Sequence, residues 1–407
     1  MFVNREKELM ELSRFHERSR TGAQMVVLYG RRRIGKTSLV KEFLKGKRGI
    51  YLFIEPRSQE LLFREAEELL SEVLGIRPQI SSWDELFEIC KKKDLILIMD
   101  EFQNLARIDR TILNRIQRIW DDLKEGPGLL FIAVGSYVGM IKRIFRDAKQ
   151  PLFGRANGMM RLGALNIGPS MEILSNSGMD LSRGLRYYSV FGGVPRYLIE
   201  IEESRDIIEE MILGTSSFLR EEGVNILTME FGTQHKGYFS VLESVSRGKG
   251  TPLEISHNAG MSQATVSKYL GELEKEYELV KGERPVTVKN HKLVRYRIVD
   301  PFLSFWFRYV FSRASRLEID PGRVLSDIEN EMPQIVSKAM EKVAGELLIE
   351  DKDLISPTLM GRWWSRDGEE IDIVAVDEDM DEILFAEVKW RNRPVGVGVL
   401  EELIRRS

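Results

Sequence analysis

Between about residues 24 and 165, short apolar runs at Met25–Leu28, Ile50–Ile54, Leu95–Met99 and Leu129–Val134 alternate with stretches whose apolar residues recur at helical spacing. Runs of this length and continuous apolar character predict strands buried on both faces, so the region reads as a parallel sheet covered by helices. Residues 185–230 are helical in pattern apart from Gly192-Gly193-Val194-Pro195 and predict a small helical lid. Residues 236–300 predict two or three short helices and then two strands separated by Lys289-Asn290-His291-Lys292, the order of a winged helix. The aromatic run Pro301–Val310 predicts a joining helix buried on several faces, with base stacking as the alternative. From about 320 the pattern is helix, strands at Ile371–Val376 and Ile383–Lys389, and a terminal helix, a second α/β unit. The expected division is 1–165, 166–234, 235–300, 301–319 and 320–407.

Composition narrows the function classes. The chain has 407 residues, 43% of them hydrophobic, which suits several folded domains and excludes a disordered or fibrous protein. Sixty basic against 63 acidic residues leave a net charge of -3, so any surface that attracts nucleic acid is local. Cys90 is the single cysteine, and His16, His235, His257 and His291 are scattered. That pattern excludes an internal disulfide, disfavours a zinc site and points to a reducing, cytoplasmic setting. Charge from Arg5 onward argues against a secretory leader, and no apolar run approaches the roughly 20 residues of a membrane span.

Gly30-Arg31-Arg32-Arg33-Ile34-Gly35-Lys36-Thr37 matches G-x-x-x-x-G-K-[ST], with the apolar run Met25–Leu28 before it and the helical pattern Ser38–Leu44 after it. The glycines let backbone N–H groups wrap phosphates, Lys36 reaches the β and γ oxygens, and the Thr37 hydroxyl can ligate Mg²⁺. Leu95–Met99 ends in Asp100-Glu101, where Asp100 would hold Mg²⁺ through water and Glu101 would polarise the attacking water. Together the two motifs predict ATP binding and hydrolysis with Mg²⁺.

With the segment Phe2-Val3-Asn4-Arg5-Glu6-Lys7-Glu8-Leu9 and the run Asp100-Glu101-Phe102-Gln103, these motifs resemble the archaeal ATPase family of the AAA+/STAND group. The resemblance implies that Asn4 and Arg5 lie near the adenine, and that the nucleotide is held by Gly30 through Thr37 and by Ser38. It implies that Phe131–Ser136 is the next core strand, with Ser136 a sensor near the γ-phosphate or an ordinary strand end. Pro151–Arg155 resembles a stretch whose arginine reaches a nucleotide in cis or from a neighbouring subunit; Arg155 is such a finger or a plain ion pair. Gly192–Tyr197 resembles a lid turn that moves with nucleotide state.

Leu253–Asn258, the turn Ala259-Gly260-Met261 and Ser262–Leu270 read as a helix-turn-helix. Ala259, Val266 and Leu270 suit the helix-helix core. Ser262, Gln263, Thr265, Ser267 and Lys268 remain polar where a recognition helix meets base edges. Lys281, Arg284, Lys289, Lys292, Arg295 and Arg297 against Glu283 and Asp300 make a basic wing suited to phosphates, and DNA is the expected partner. The alternative is a winged helix used for protein contacts.

In the last segment, Glu387 and Lys389 share a strand face by alternation. With Asp372 on an adjacent strand, the two carboxylates could hold Mg²⁺ while Lys389 positions a water, the logic of phosphodiester hydrolysis. The alternative is a solvated charge pair. Gly361-Arg362-Trp363-Trp364 and Trp390 resemble the C-terminal domain of the same family, which is similar to PD-(D/E)xK (restriction-endonuclease-like) nucleases. That resemblance implies a further helical acid, Glu341 ahead of Glu346. One departure is that the chain stops at Ser407 within a helix, where such cores usually continue into another strand. The expectation is an α/β protein: a P-loop ATPase with lid, winged helix and nuclease-like domain, in which nucleotide state is coupled to DNA handling, with homo-oligomers open to it. The alternatives are a nucleotide-regulated DNA-binding or signalling switch without cleavage, and an oligomeric motor.

Overall fold

The computed structural model describes residues 3–214, 217–232, 235–286, 293–351, 353–391 and 393–407. The chain forms two compact units, one of Met1–Ala164 with Val194–Arg196, the other of Leu165–Gly193 with Tyr197–Ser407.

The first unit is a five-stranded parallel sheet of β1 (Gln24–Tyr29), β2 (Gly49–Phe53), β3 (Leu95–Asp100), β4 (Leu129–Gly135) and β5 (Gly158–Arg161), in the order β2-β3-β4-β1-β5. The interior strands β3 and β4 are buried at every position, as expected of strands covered on both faces, whereas edge strand β2 alternates. Helices Glu6–Ser19, Lys36–Leu44, Gln59–Leu74, Trp83–Lys92 and Ile112–Leu123 supply the covering layers. Phe87, Phe102 and Trp120 pack around Phe131 of β4 at the centre of one face. β5 has no counterpart among the apolar runs of the sequence, because its four residues include only Met159 and Met160 as apolar positions.

The second unit is mostly helical. Six side chains of helix Pro301–Tyr309 are buried, as its aromatic density predicts, and Trp306 seats its indole on Gly223 and donates to the Arg220 carbonyl at 2.8 Å. Helices His235–Ser246, Pro252–Ala259 and Gln263–Lys275 precede an antiparallel ribbon of β6 (Val280–Glu283) and β7 (Arg295–Ile298). A reciprocal Thr251–Glu254 cap starts the second helix, Gly260 in left-handed conformation ends it, and the Ser262 side chain caps the third. Helix Pro321–Glu350 leads to an antiparallel sheet, β10-β9-β8, made of β8 (Leu359–Trp364), β9 (Glu370–Asp377) and β10 (Glu382–Ala386).

Two expectations change here. The run Gly361–Trp364 lies in a strand, β8, additional to the two expected in this segment. β10 stops at Ala386 rather than Lys389 because the Val388 N–H is taken by the Asp372 carboxylate at 2.9 Å, which ends the backbone ladder. The ribbon is also joined to this sheet: Val286 N–H donates to the Arg362 carbonyl at 2.9 Å, and the Trp364 indole donates to the Leu293 carbonyl at 3.2 Å. Arg295 lies over the Trp364 ring and pairs with Glu370. No helix among the described residues is long and apolar enough to cross a membrane.

Candidate nucleotide site

At the carboxyl edge of the parallel sheet, the chain turns from β1 through Gly30–Gly35 into helix Lys36–Leu44. Gly35 has φ +96° and Arg33 φ +69°, the left-handed turns that wrap the loop. Gly30 admits no side chain, since a Cβ would stand 2.4 Å from the Leu162 carbonyl oxygen. Lys36 is 4% exposed, and its ammonium donates to the carbonyls of Gly30 and Arg31 at 2.8 and 2.9 Å, inside the loop it serves.

Asp100 ends β3 and is buried. Its Oδ2 accepts from the Thr37 hydroxyl and from the Tyr51 phenol, both at 2.7 Å, and its Oδ1 accepts from the Glu101 N–H at 2.9 Å. Burial, then the Asp100 charge, push the Tyr51 phenol well above its ordinary value, so it remains a donor. Glu101 sits at φ +54°, with Oε1 accepting from Ser136 at the end of β4 at 2.5 Å and Oε2 from Gln103. Gly135 leaves room for this cluster, since a Cβ there would meet Ile141 and Gln103. The expected nucleotide and metal groups Lys36, Thr37, Asp100, Glu101 and Ser136 are therefore brought together. A hydroxyl and a carboxylate oxygen 2.7 Å apart at a phosphate loop are a donor set that fits Mg²⁺, which takes few protein oxygens and completes its shell with water and phosphate.

Arg5 is 8% exposed and binds Glu8 at 2.9 Å, the Gly163 carbonyl at 2.7 Å and the Ile34 carbonyl at 3.4 Å, so it braces the loop. Asn4, at φ +50°, is exposed, as are Arg32, Thr37 and Ser38; Arg31 and Arg33 are half-buried and Ile34 is buried. Phe2 lies outside the described residues. Tyr51 was not legible in the sequence, because a tyrosine in an edge strand carries no motif.

Arg155 is not brought to the loop. Asn157 bonds Met25 at the start of β1, so Arg155 lies at the opposite edge of the sheet, where its guanidinium holds Asp121 at 2.8 and 3.2 Å. The roughly 3.3 Å rise per residue along the six residues of β1 separates the two edges. The plain ion pair is what the structure contains.

In the second unit, helix Gln263–Lys275 buries Val266, Leu270 and Leu273 and exposes Ser262, Gln263, Ser267 and Lys268. Two of the expected wing cations are engaged, Arg295 by Glu370 and Arg297 by Glu283, while Lys289 and Lys292 lie outside the described residues.

At the C-terminal sheet, the last paired residues of β10 and β9 are Ala386 and Ile373, and just beyond them the Asp372 carboxylate accepts from the Val388 N–H, next in the chain to Glu387. Lys389 pairs with Glu387, whose Oε2 is buried without a hydrogen-bond partner among the described residues. Burial pushes the Glu341 carboxyl up to about 7 against the opposing Arg362, 3.6 Å away, with Asp372 adding to the rise. Glu346 pairs loosely with Lys342. Among the described residues no three His, Cys, Asp or Glu side chains gather to hold one metal ion. Arg362 lies between Glu341 and Glu370, at 3.6 and 3.4 Å.

Residues 2–201 match the family described as an ATPase domain predominantly from Archaea, and residues 306–400 match a family of archaeal and bacterial proteins of unknown function. An uncharacterised protein of Methanocaldococcus jannaschii is 31% identical over 404 residues, 96% of this chain and 88% of that protein. An uncharacterised ATP-binding protein of the same organism is 50% identical over 48 residues, 12% of this chain and 78% of that one. Among solved structures, the Walker-type ATPase of Pyrococcus abyssi aligns with TM-score 0.56 and 19% identity, over 75% of this chain and 96% of that chain, a likeness of fold. The chain belongs to the same family as the 404-residue Methanocaldococcus match, and its first half carries an archaeal P-loop ATPase domain.

Proposed function

We propose that the protein is a Mg²⁺-dependent ATP hydrolase whose nucleotide state governs how its second unit engages duplex DNA. The observation that carries the hydrolytic half is the run of hydrogen bonds from Thr37 through Asp100 to Glu101 and Ser136. Loop amides and Lys36 receive the phosphates, while Thr37 and Asp100 are the residues that would hold the metal ion. Bound there, Mg²⁺ would neutralise charge on the phosphate oxygens. Glu101 accepts a hydrogen bond from the attacking water and aims it, and Ser136 and Gln103 fix the carboxylate so that little reorientation is needed at the moment of reaction. Arg5 keeps the loop's far end in register.

The DNA half is supported by the exposed polar start of helix Gln263–Lys275, with Ser262, Gln263, Ser267 and Lys268 free of the helix core. With Arg295 and Arg297 engaged in close ion pairs, phosphate contacts fall to Lys281, Arg284 and Lys268, the last held only loosely by Glu272 at 3.9 Å. The test is anisotropy of a labelled duplex with ATP and Mg²⁺, comparing the native chain with Lys36→Ala and Lys268→Glu. Binding that depends on ATP, weakens in Lys268→Glu and loses its nucleotide dependence in Lys36→Ala is expected. Duplex affinity indifferent to both variants overturns the reading.

A second reading, metal-dependent cleavage by the C-terminal sheet, is favoured by the Asp372 carboxylate accepting from the Val388 N–H, between Glu387 and Lys389. Plasmid nicking in Mg²⁺ or Mn²⁺ that disappears in Lys389→Ala would establish it. Intact plasmid beside active ATP hydrolysis leaves the switch.

A further inference from the structure

In the second unit, a cavity of about 520 Å³ opens between helix Leu181–Phe191, helix Pro321–Glu350 and the segment after β10. Its size lies in the range of small-molecule sites, roughly 300–1,000 Å³. Arg183 and Arg186 line one side, Glu329 and Pro333 another, and Trp390 with Arg391 closes the third. Three guanidinium groups against one carboxylate make an anion-seeking lining.

The cations are not equivalent. Arg186 is committed: it grips both Glu329 oxygens at 2.6 Å and reaches Asp206 at 3.4 Å, making a fixed pillar. Arg183 donates to the Glu203 carbonyl at 3.1 Å and interacts with the Tyr187 side chain, with no ion pair among the described residues, and Arg391 is exposed and likewise has none. These two can turn their forks onto a phosphate. The half-buried Trp390 indole offers a flat wall for a planar ring. Pro333 lacks an N–H, so the Glu329 main-chain carbonyl four residues earlier loses its helical donor and is an acceptor for a ligand hydroxyl or amino group.

We propose that this cavity binds a nucleoside monophosphate unit, with its phosphate on Arg183 and Arg391 and its base against Trp390. The site is separate from the phosphate loop and does not rest on the DNA reading. The test uses the full chain carrying Lys36→Ala, to silence the loop, titrated with 5′-AMP by calorimetry and by tryptophan fluorescence. One AMP per chain is expected, with binding about tenfold weaker or worse in Arg183→Ala and in Arg391→Ala. In Trp390→Leu, AMP binding weakens and the fluorescence change is lost.

Inorganic phosphate and adenosine, each carrying half of the recognition, are expected to bind at least about tenfold more weakly than AMP. A 5′-phosphorylated single-stranded oligonucleotide that displaces AMP supports the proposal with a strand end as the source; failure to displace supports it with the free nucleotide as the source. Absence of AMP binding overturns the proposal, as does binding unmoved by Arg183→Ala and Arg391→Glu, or phosphate binding as tightly as AMP. Arg391 is exposed, so Arg391→Glu keeps the test readable where a helix variant fails to fold.

Discussion

Replacing Gly30 by alanine tests whether the loop works only when seated against the strand beside it. The added methyl carbon would stand 2.4 Å from the Leu162 carbonyl oxygen, whereas ordinary contact begins at 3.4 Å, so the two must part by about 1 Å. Leu162 is poorly placed to give way: it is buried, its N–H is held by the Tyr29 carbonyl at 2.7 Å, and β5 is locked in register with β1 up to Tyr29–Arg161. The loop must therefore shift, carrying its amides and Lys36 with it. A misplacement of about 1 Å costs on the order of 100-fold in rate, equivalent to about 2.7 kcal/mol of barrier. Steady-state phosphate release with saturating ATP and Mg²⁺ measures it, alongside thermal melting to show that the variant is folded. Gly22→Ala is the control, because nothing lies within 4 Å of its added carbon. A folded Gly30→Ala protein turning over within about threefold of native would refute the steric argument.

Other outcomes follow from the same geometry. Tyr51→Phe removes one of three donors to the buried Asp100 carboxylate; it is expected to cost about 1.5–3 kcal/mol in stability and to raise the Mg²⁺ needed for half-maximal hydrolysis, and an unchanged Mg²⁺ dependence would show that Tyr51 does not position Asp100. Glu341 is pushed up from 4.5 to about 7, so the folded chain holds its proton more tightly than the unfolded one. Stability from that site is complete below pH 4.5 and is lost as pH rises through 7. Glu341→Gln should therefore gain on the native chain between pH 5 and 8, by at most about 3 kcal/mol in denaturant titrations, and a pH-independent difference would contradict this. Arg155→Ala removes a partly exposed pair with Asp121 and should leave ATP turnover unchanged at a cost of about 0–1 kcal/mol; a loss of turnover that grows with protein concentration would instead mark Arg155 as acting on a neighbouring subunit.

The parts legible in the sequence are those where local pattern and tertiary role coincide. A glycine-framed loop after an apolar run, and two carboxylates ending another, can be read without coordinates because backbone conformation and chemistry impose the same residues. Tyr51 is different: it matters only because the sheet order lays β2 beside β3, and that order is not a local property. The two readings of Arg155 could not be told apart for the same reason, since nothing nearby in sequence states at which edge of the sheet a residue lies. Strand end Ala386 was missed because a side chain, Asp372, competes with the backbone for one N–H.

The join between the ribbon and the C-terminal sheet has a mechanical consequence. The expected domain boundaries at 300 and 320 suggest a place to cut, yet Val286, Leu293 and Arg295 are bonded across them to Arg362, Trp364 and Glu370. A chain truncated at 320 would strip the ribbon of its wall and leave the Arg295 guanidinium without its carboxylate. Load applied to helix Gln263–Lys275 passes into the ribbon, whose Gly282 N–H is held by Glu274 at 2.8 Å, and from there into β8 and β9. The helix pair and the sheet are thus linked through the ribbon by direct bonds, although more than eighty residues of chain separate them.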